Sequence, residues 1–318
     1  MKLVHLGVLV FAVFAADFSS NVALAEDGAD QKAILVTGAS TGIGRNLAER
    51  LAAEGHFVYA GARKDADLKE LDAIENIKAV KLDVTSQEQI DAAVELIKSE
   101  GRGLYGLVNN AGVAVLGTVA ETEHSDLHWV FSVNVVGVVG VTRAFLPMIL
   151  EEKGRISTTG SISGTLSSPG FSVYSMSKHA MEAFTDSLAG EVEPLGVRVS
   201  IIEPGNYKSH IRRTVAENAV RAAAAAGDEL SAEDRAYMEQ MTQRELQMKE
   251  PDEVSDAFMH ALFSESPQRR YMVVPEEREA EITIRKALSE VVELNEWDLY
   301  KYDRDELVQM LDEALAAE

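Results

Sequence analysis

The chain has 318 residues, which is enough for one large α/β domain with a sizeable hydrophobic core. Its formal net charge of −22 at pH 7 excludes the broad basic surface that nucleic-acid binding needs and disfavours adsorption to anionic lipid, so we interpret the charge as a solvated surface and expect no nucleic-acid partner. The absence of cysteine excludes disulfides, thiolate metal sites and cysteine nucleophiles.

The first 25 residues have the pattern of a secretory signal. Lys2 supplies a positive start, residues 3–16 are almost continuously apolar, and Ala23-Leu24-Ala25 is a small-x-small cleavage site. The apolar run is shorter than the ~20 residues of a membrane-spanning helix. We therefore expect export with cleavage after Ala25 and no multi-span membrane association. A membrane anchor formed by residues 3–16 and a cytoplasmic chain with a wrongly assigned start are the alternatives.

Strand and helix patterns alternate from residue 32 to residue 275, after a polar linker at residues 26–31. Short apolar runs predict strands at residues 33–36, 57–60, 79–82, 104–108, 155–158, 197–202 and 271–274. Amphipathic runs predict helices at residues 45–55, 68–74, 86–100 (capped by Ser86), 126–150 (broken near Pro147) and 172–190. This alternation predicts a doubly wound parallel sheet of about seven strands, a Rossmann-type α/β fold, with ligands bound at the carboxyl ends of the strands.

Two segments depart from the alternation. Residues 206–250 are polar, alanine-rich and helical in pattern, and we interpret them as a segment that covers the substrate. Residues 276–318 form a helical C-terminal tail with 14 acidic against 5 basic residues. One helical face of this tail carries Leu307, Met310, Leu311 and Leu315, and we expect it to dock on the protein or on a neighbouring subunit.

A glycine-rich turn, Thr-Gly-Ala-Ser-Thr-Gly-Ile-Gly, occupies residues 37–44 between the first predicted strand and the first helix. This is the context that a dinucleotide-binding turn requires. Gly38 would permit the tight turn, and Gly42 and Gly44 would let the backbone and the helix approach a pyrophosphate. An ordinary glycine-rich loop is the alternative, and the strand-turn-helix context disfavours it.

Tyr174 and Lys178 lie one helical turn apart, and Ser161 lies thirteen residues before the tyrosine. The pKa of a free tyrosine, ~10, is too high for a good base near neutral pH. A lysine ammonium on the same helical face favours the phenolate. Taken alone, Tyr174 could equally be a core residue and Lys178 a solvated one. The thirteen-residue spacing selects Ser161 over Ser163.

Together these motifs resemble the short-chain dehydrogenase/reductase family, in its non-epimerase branch, over about residues 32–275. The resemblance rests on the turn at residues 37–44, Asp83-Val84, Asn109-Asn110-Ala111-Gly112, Asn134, Ser161, Tyr174, Lys178 and Pro204-Gly205. It implies that Tyr174 is the general acid in reduction and the base in oxidation. It also implies that Lys178 holds the nicotinamide ribose, that Ser161 binds the substrate oxygen, and that Asn134 holds a water linking Lys178 to solvent.

The cofactor site implied by the resemblance comprises Gly38, Ser40, Thr41, Gly42, Ile43, Gly44, Arg63, Asp83, Val84, Asn110, Ala111, Gly112, Tyr174, Lys178, Pro204 and Gly205. Cofactor choice depends on the end of the second strand, where a carboxylate would select NAD. Here Gly61-Ala62 is followed by Arg63, whose guanidinium can pair with a 2′-phosphate. We therefore favour NADP(H) over NAD(H); a solvated Arg63 is the alternative interpretation.

The expected reaction is hydride transfer between a nicotinamide and a ketone, aldehyde or secondary alcohol. Residues 113–116, Phe171 and Val173 suggest a partly apolar pocket, and residues 204–209 look like members that act on steroids or retinoids. A 3-oxoacyl thioester reductase, a dinucleotide sensor without turnover and an exported structural protein are the alternatives. The histidines at 124, 128 and 179 form no metal-ligand pattern. Helices carrying Val133, Val136 and Val139 and carrying Tyr174 suggest a homodimer or homotetramer.

Overall fold

The computed structural model describes residues 31–211, 214–216, 220, 227, 229, 231–297 and 299–316. The predicted signal segment, residues 1–25, lies outside the described residues. Residues 32–318 group into one unit by their internal contacts, separately from residues 1–31.

One parallel sheet of seven strands organises the described residues, in the order β3-β2-β1-β4-β5-β6-β7. The strands are β1 (Ala33–Val36), β2 (Phe57–Ala62), β3 (Ile77–Lys81), β4 (Gly106–Asn109), β5 (Arg155–Thr159), β6 (Arg198–Pro204) and β7 (Arg270–Val273). All seven were predicted from short apolar runs, with ends that differ by one or two residues. Ile34 pairs with Val58 of β2 and with Gly106 of β4, which places β1 in the middle of the sheet.

Ten α-helices accompany the strands in the described residues; the first eight lie between strands in the chain, and most of these pack on the two faces of the sheet, whereas the last two follow β7. The ten helices are α1 (Gly42–Ala53), α2 (Asp65–Leu71), α3 (Gln87–Glu100), α4 (His124–Phe131), α5 (Val138–Glu151), α6 (Ser172–Val192), α7 (Ala232–Leu246), α8 (Asp252–Phe263), α9 (Glu277–Glu296) and α10 (Arg304–Ala316). The predicted cap of α3 is confirmed, because the Ser86 side chain accepts a hydrogen bond from the Gln89 N–H at 3.3 Å.

The predicted helix break at Pro147 is wrong. Pro147 lies inside α5 on an exposed face, where the carbonyl that it leaves without a donor can bind water. The irregularity is instead a π-helix at Ser132–Gly137, which joins α4 to α5. A Cβ at Gly137 would lie 2.8 Å from Val84 Cγ2, so the glycine allows the π-helix to touch the loop after β3. This insertion turns Asn134 inward.

Side chains alternate along the strands and divide the core into two layers. Ala33 and Leu35 pack on the side of α3, α5 and α6, whereas Ile34 and Val36 pack on the side of α1 and α8. Among the described residues, one stretch, His124–Glu151, has the length and apolarity of a membrane span. Half of its apolar window is buried, and Phe145 and Ile149 are fully buried in the first layer, as in a core helix.

The chain winds outward in opposite directions from β1 and β4, so a crevice opens outside their carboxyl ends. The start of the C-terminal tail reaches this edge, because Glu279 of α9 accepts hydrogen bonds from Asn206 N at 2.9 Å and Asn206 Nδ2 at 3.0 Å. The apolar face of α10 is mostly exposed: Leu307 is half-buried, but Leu311 is 50% exposed and Leu315 66% exposed. Only the start of the tail therefore docks on the described chain, and docking of α10 on a neighbouring subunit stays a prediction.

Candidate active site

A cleft of about 470 Å³ lies at the carboxyl edge of the sheet, above the crevice between β1 and β4. Nearly all the residues predicted for the site line it: Gly38, Ser40, Thr41, Gly42, Ile43, Arg63, Asp83, Val84, Asn110, Ala111, Gly112, Ser161, Tyr174, Lys178, Pro204 and Gly205. Two predicted residues, Gly44 and Asn134, lie behind the wall of the cleft. One continuous space therefore brings the glycine turn together with Ser161, Tyr174 and Lys178, which come more than a hundred positions later in the sequence.

The glycine turn at residues 37–44 fits a pyrophosphate. Gly38 and Gly42 have φ angles of +66° and +57°, which L-residues with side chains rarely adopt. Helix α1 begins at Thr41 without a side-chain cap and has no acidic residue in its first turn. Its first amides are therefore left for an anion, and no carboxylate repels one.

The turn is held in place from the neighbouring strand. Thr37 Oγ1 accepts hydrogen bonds from Asn110 N at 2.9 Å and Ala111 N at 3.0 Å. The Asn110 side-chain amide donates to the carbonyls of Thr37 and Gly38, both at 3.1 Å. Thr37 was not singled out from the sequence, because its role depends on a loop more than seventy residues away.

Gly44 keeps α1 against this junction. A Cβ at Gly44 would lie under 3.0 Å from both Asn110 Nδ2 and the Gly38 carbonyl oxygen. Only glycine therefore permits the helix to approach the turn this closely. The contribution of Gly44 to a dinucleotide site is close packing rather than direct lining of the cleft.

Lys178 is buried in the wall of the cleft, on the same face of α6 as Tyr174. Its Nζ donates a hydrogen bond to the Thr159 carbonyl at the end of β5, at 2.7 Å, and lies 5.6 Å from the centre of the Tyr174 ring. Burial lowers the pKa of Lys178 to about 8, and the carboxylate of Glu182 partly opposes this. An ammonium with this pKa can exchange its proton near neutral pH. Thr159 also donates its hydroxyl to Asn110 Oδ1 at 3.1 Å, and it was missed because both of its contacts are with residues distant in sequence.

Ser161 begins the short 3₁₀-helix Ile162–Gly164 and is almost fully buried. Its Oγ accepts a hydrogen bond from Ser163 N at 3.0 Å, which fixes the hydroxyl at the start of the turn. Both serines line the cleft. The Ser161 hydroxyl is thus oriented by a hydrogen bond from the backbone two residues later.

Asn134, in the π-helix, ties the loop after β4 to α6; the water that it is expected to hold beside Lys178 stays a prediction. Its Oδ1 accepts from Val113 N and its Nδ2 donates to the Val113 carbonyl, both at 2.9 Å, and Nδ2 also donates to Ser177 Oγ at 3.0 Å. A Cβ at Gly112 would lie 3.6 Å from Asn134 Oδ1 and 4.0 Å from Lys178 Nζ. Gly112 therefore lies beside both the Asn134 amide and the Lys178 ammonium, and it places no side chain between them.

The far end of the cleft, toward β2 and β3, carries Arg63 and Asp83. Arg63 directly follows β2, its side chain is 58% exposed, and its Nη1 lies 3.9 Å from Asp83 Oδ2. Asp83 Oδ1 accepts hydrogen bonds from Thr85 N at 2.9 Å and Thr85 Oγ1 at 2.7 Å. No carboxylate stands at the end of β2, whose last residue is Ala62.

The opposite end of the cleft is mostly apolar. Its lining includes Val113, Ala114, Leu116, Leu166 and Phe171, as the sequence partly predicted. Val173 was also predicted there, but it is buried in the core, because the residue before Tyr174 points to the other side of α6. Tyr207 and Met241, which belong to the segment expected to cover the substrate, also line the cleft. Glu279 and Ile282 of α9 line it too and were not predicted, since the C-terminal tail has no recognisable motif.

Comparison with known proteins gives a consistent assignment. The family model for short chain dehydrogenase matches residues 32–220. The chain is 39% identical to mitochondrial D-beta-hydroxybutyrate dehydrogenase of Mus musculus over 206 residues, which is 62% of this chain and 60% of that protein. It is 34% identical to the uncharacterized oxidoreductase YbbO of Escherichia coli over 76% of this chain and 86% of that protein. It is 36% identical to retinol dehydrogenase 5 of Mus musculus over 56% and 57% of the two chains.

Solved structures agree with the sequence comparison. A short chain dehydrogenase/reductase from Burkholderia phymatum in complex with NAD is 25% identical, with a TM-score of 0.72 over 86% of this chain and 99% of that one. A short chain dehydrogenase from Burkholderia cenocepacia in complex with NADP is 25% identical, with a TM-score of 0.63 over 82% and 96% of the two chains. With the glycine turn and the Tyr174–Lys178 pair in one cleft, the chain belongs to the short chain dehydrogenase family.

Proposed function

We propose that the protein is an NAD(P)(H)-dependent oxidoreductase that transfers a hydride between the nicotinamide and a ketone, an aldehyde or a secondary alcohol. One observation carries the proposal: the buried Lys178, the Tyr174 ring and Ser161 share a cleft with a glycine turn shaped for a pyrophosphate. The chain spans about 60% of the length of the hydroxybutyrate dehydrogenases that it matches. We therefore infer hydride transfer from the residues of this chain's own site and not from the activity of those relatives.

The residues divide the work of carbonyl reduction. The cofactor, when bound, supplies the hydride that adds to the carbonyl carbon. The Tyr174 hydroxyl donates its proton to the carbonyl oxygen, which becomes the alcohol, and the Lys178 ammonium stabilises the phenolate that remains. The Ser161 hydroxyl donates a hydrogen bond to the same oxygen as negative charge develops on it. In oxidation each proton moves in the reverse direction.

We propose NADP(H) as the preferred cofactor. Strand β2 ends without the carboxylate that would bind the ribose 2′-hydroxyl of NAD(H). The exposed guanidinium of Arg63, which follows it, can pair with the 2′-phosphate of NADP(H). Ser40, in the glycine turn, also lines the cleft. Relatives bind either NAD or NADP, so the choice has to be measured in this chain.

A fairly apolar substrate fits the site best. Leu116, Leu166 and Phe171 line the end of the cleft beyond Tyr174, and Met241 of α7 adds a flexible thioether. The retinol dehydrogenases among the relatives support this choice by name. A 3-oxoacyl thioester reductase is the second candidate, because its substrate presents the same ketone group to Tyr174 and Ser161. A dinucleotide sensor without turnover would bind the cofactor only.

We propose a homodimer or homotetramer, and the exposed valines of the central helices support it. Val136 is 65% exposed and Val139 is 42% exposed, whereas Val133 on the same stretch is buried. A contact between subunits would cover these side chains as part of a larger apolar patch. Sedimentation of the wild-type chain beside a Val136→Lys variant measures this directly: the variant should sediment as a smaller species.

Export is proposed from residues 1–25 alone. A secreted or periplasmic protein whose mass lacks these residues would support cleavage after Ala25. A full-length mass in the membrane fraction would support an uncleaved anchor, and a full-length mass in the soluble cytoplasmic fraction would contradict export.

The test of the activity compares Ser161→Ala with Ser163→Ala. NADPH and NADH oxidation by each full chain is followed over a panel of ketones, aldehydes and acyl thioesters. We expect turnover to fall by about two orders of magnitude in Ser161→Ala, because an oxyanion-binding group is lost, and to change little in Ser163→Ala. Equal loss in both variants would contradict the assignment of Ser161.

A further inference from the structure

Two carboxyl groups are buried behind the cleft, outside the motifs described above. Glu182 lies one helical turn after Lys178 on α6, and Glu203 lies in β6 directly before Pro204-Gly205. Their side chains are 17% and 8% exposed, and both carboxyl groups face the same Arg270 Nε, at 3.1 Å from Glu182 Oε2 and 3.9 Å from Glu203 Oε1. Two buried carboxyl groups that share one guanidinium repel each other when both are ionised, and a proton on one of them removes this repulsion.

Carboxyl groups outnumber the cations around the pair, which favours a proton on one of the two acids. Arg270 of β7 lies 3.1 Å from Glu182 Oε2 and 3.9 Å from Glu203 Oε1, and its Nη2 is bonded to Asp186 at 2.7 Å. The Arg270 guanidinium therefore faces three carboxyl groups. Arg269 Nη1 also lies 4.0 Å from Asp186 Oδ1, but its Nη2 is paired with Glu193 at 2.7 Å, and Lys178 is the cation beside Glu182 on α6. Glu182 Oε1 is buried without a donor among the described residues, and a proton on Glu203 relieves this arrangement.

The direction of the pKa shifts agrees with the geometry. Burial, with the nearby Glu182 carboxylate, raises the pKa of Glu203 to about 7. Burial also raises the pKa of Glu182, while Arg270 opposes the rise. The proton therefore lies mainly on Glu203, and the negative charge lies mainly on Glu182, beside Lys178.

Glu182 also touches the turn that begins at Ser161. A Cβ at Gly164 would lie 2.7 Å from Glu182 Oε1 and 3.2 Å from its Cγ, so the carboxyl group packs directly against the backbone of the Ile162–Gly164 turn. Gly164 N donates to the Ser161 carbonyl at 2.7 Å. The pair is thus in contact with the serine turn and one helical turn from the lysine.

We propose that Glu182 and Glu203 hold one proton between them and act as positioning residues: their negative charge keeps Lys178 protonated, and their shared proton keeps the Ser161 turn in place. This role rests on the proposed function, since it assigns the pair to the same catalytic site. Neither carboxyl group lines the cleft, so neither is expected to touch substrate or cofactor.

The first test needs no ligand. The urea midpoint of the full chain is measured from about pH 4.5 to pH 9 for wild type, Glu203→Gln, Glu182→Gln and Glu191→Gln, the last being an exposed control on α6. A proton bound in the folded chain and lost in the unfolded chain makes stability fall as pH rises from about 4.5 to about 7. We expect Glu203→Gln to lose this fall and Glu191→Gln to retain it.

The second test reads the charge of Lys178. NADPH binding is followed by fluorescence against pH, with the rate of turnover where a substrate is available. Loss of the Lys178 proton should weaken binding above about pH 8 in wild type. Removing the Glu182 charge should move this limb to lower pH by about one unit, and Glu191→Gln should leave it in place.

Two results would overturn the proposal. A Glu203→Gln midpoint that follows the wild-type pH dependence would mean that no proton is shared. An unmoved alkaline limb in a folded Glu182→Gln variant would mean that the pair does not set the charge of Lys178. If wild type binds neither NADPH nor NADH, the proposed function fails and the role of Lys178 fails with it, while the urea midpoints still decide whether the proton is shared.

Discussion

Replacing Gly44 by alanine tests how the dinucleotide turn is built. The added Cβ would lie under 3.0 Å from Asn110 Nδ2 and from the Gly38 carbonyl oxygen. Both atoms are fixed, because Asn110 Nδ2 donates to the carbonyls of Thr37 and Gly38 at 3.1 Å. Helix α1 must therefore move away from the turn, or the Asn110 amide must give up its partners.

The cost can be worked from these contacts. Two hydrogen bonds lost from a partly buried amide cost about 1–3 kcal/mol together. Overpacking of a tight backbone junction adds roughly 1–3 kcal/mol. We expect Gly44→Ala to lower the free energy of unfolding by about 2–6 kcal/mol. Its affinity for NADPH should fall at least about tenfold, because the helix N-terminus leaves the pyrophosphate position.

The assay is urea unfolding with a cofactor titration, and Gly190→Ala is the matched control. Gly190 is an exposed glycine of α6 where a Cβ would meet nothing within 4 Å. Alanine there should stabilise the helix by about 0.5–1 kcal/mol and leave cofactor binding unchanged. A Gly44→Ala variant as stable as wild type and with unchanged NADPH affinity would refute the packing argument.

Three further variants test other contacts of the site. Thr37→Val removes the hydroxyl that accepts hydrogen bonds from Asn110 N and Ala111 N. Urea unfolding should show that the free energy of unfolding falls by about 2–3 kcal/mol and that Thr37→Ser retains the wild-type value. An unchanged free energy in Thr37→Val would mean that the junction holds without the hydroxyl. If Arg63 pairs with the 2′-phosphate, Arg63→Ala should weaken NADPH binding by roughly 10- to 30-fold and NADH binding by less than about threefold, as measured by calorimetry. Equal losses for the two cofactors would contradict this pairing. The pKa of Lys178 is lowered from 10.5 to about 8, so between these pH values the unfolded chain binds a proton that the native chain lacks. The free energy of unfolding should therefore rise across that pH range in wild type and stay flat in Lys178→Met. Parallel curves for the two chains would contradict a pKa lowered by burial.

The sheet was predictable because its signals are local. Each strand is a short apolar run between helical patterns, and a parallel sheet follows from that alternation whatever the helices contain. The strand-turn-helix position of Gly38 and Gly42 fixed the turn at the correct edge. The spacing of Tyr174 and Lys178 placed both on one face of α6, since helical periodicity needs no tertiary information.

The parts that escaped prediction depend on contacts between distant residues or on the backbone alone. Pro147 is a strong local signal for a break, yet the irregular turn formed at Ser132–Gly137, where a missing Cβ permits contact with Val84. Thr159 accepts from Lys178 through its carbonyl and donates its hydroxyl to Asn110 Oδ1, and neither contact has a local sequence signal. Glu182 and Glu203 meet across twenty-one positions, and in the sequence each is one acid among 52 acidic residues. Glu279 reaches the cleft from a tail with no motif of its own.

The measurement that tests the central claim most directly is NADPH oxidation by Tyr174→Phe, with the exposed Tyr237→Phe of α7 as control. Phenylalanine keeps the ring and removes only the hydroxyl that would donate the proton. We predict that the rate with a carbonyl substrate falls by about 10²- to 10⁴-fold in Tyr174→Phe, with NADPH affinity within about threefold of wild type, and that Tyr237→Phe is unaffected. A Tyr174→Phe chain that turns over at the wild-type rate would contradict the assignment of Tyr174 as the proton donor.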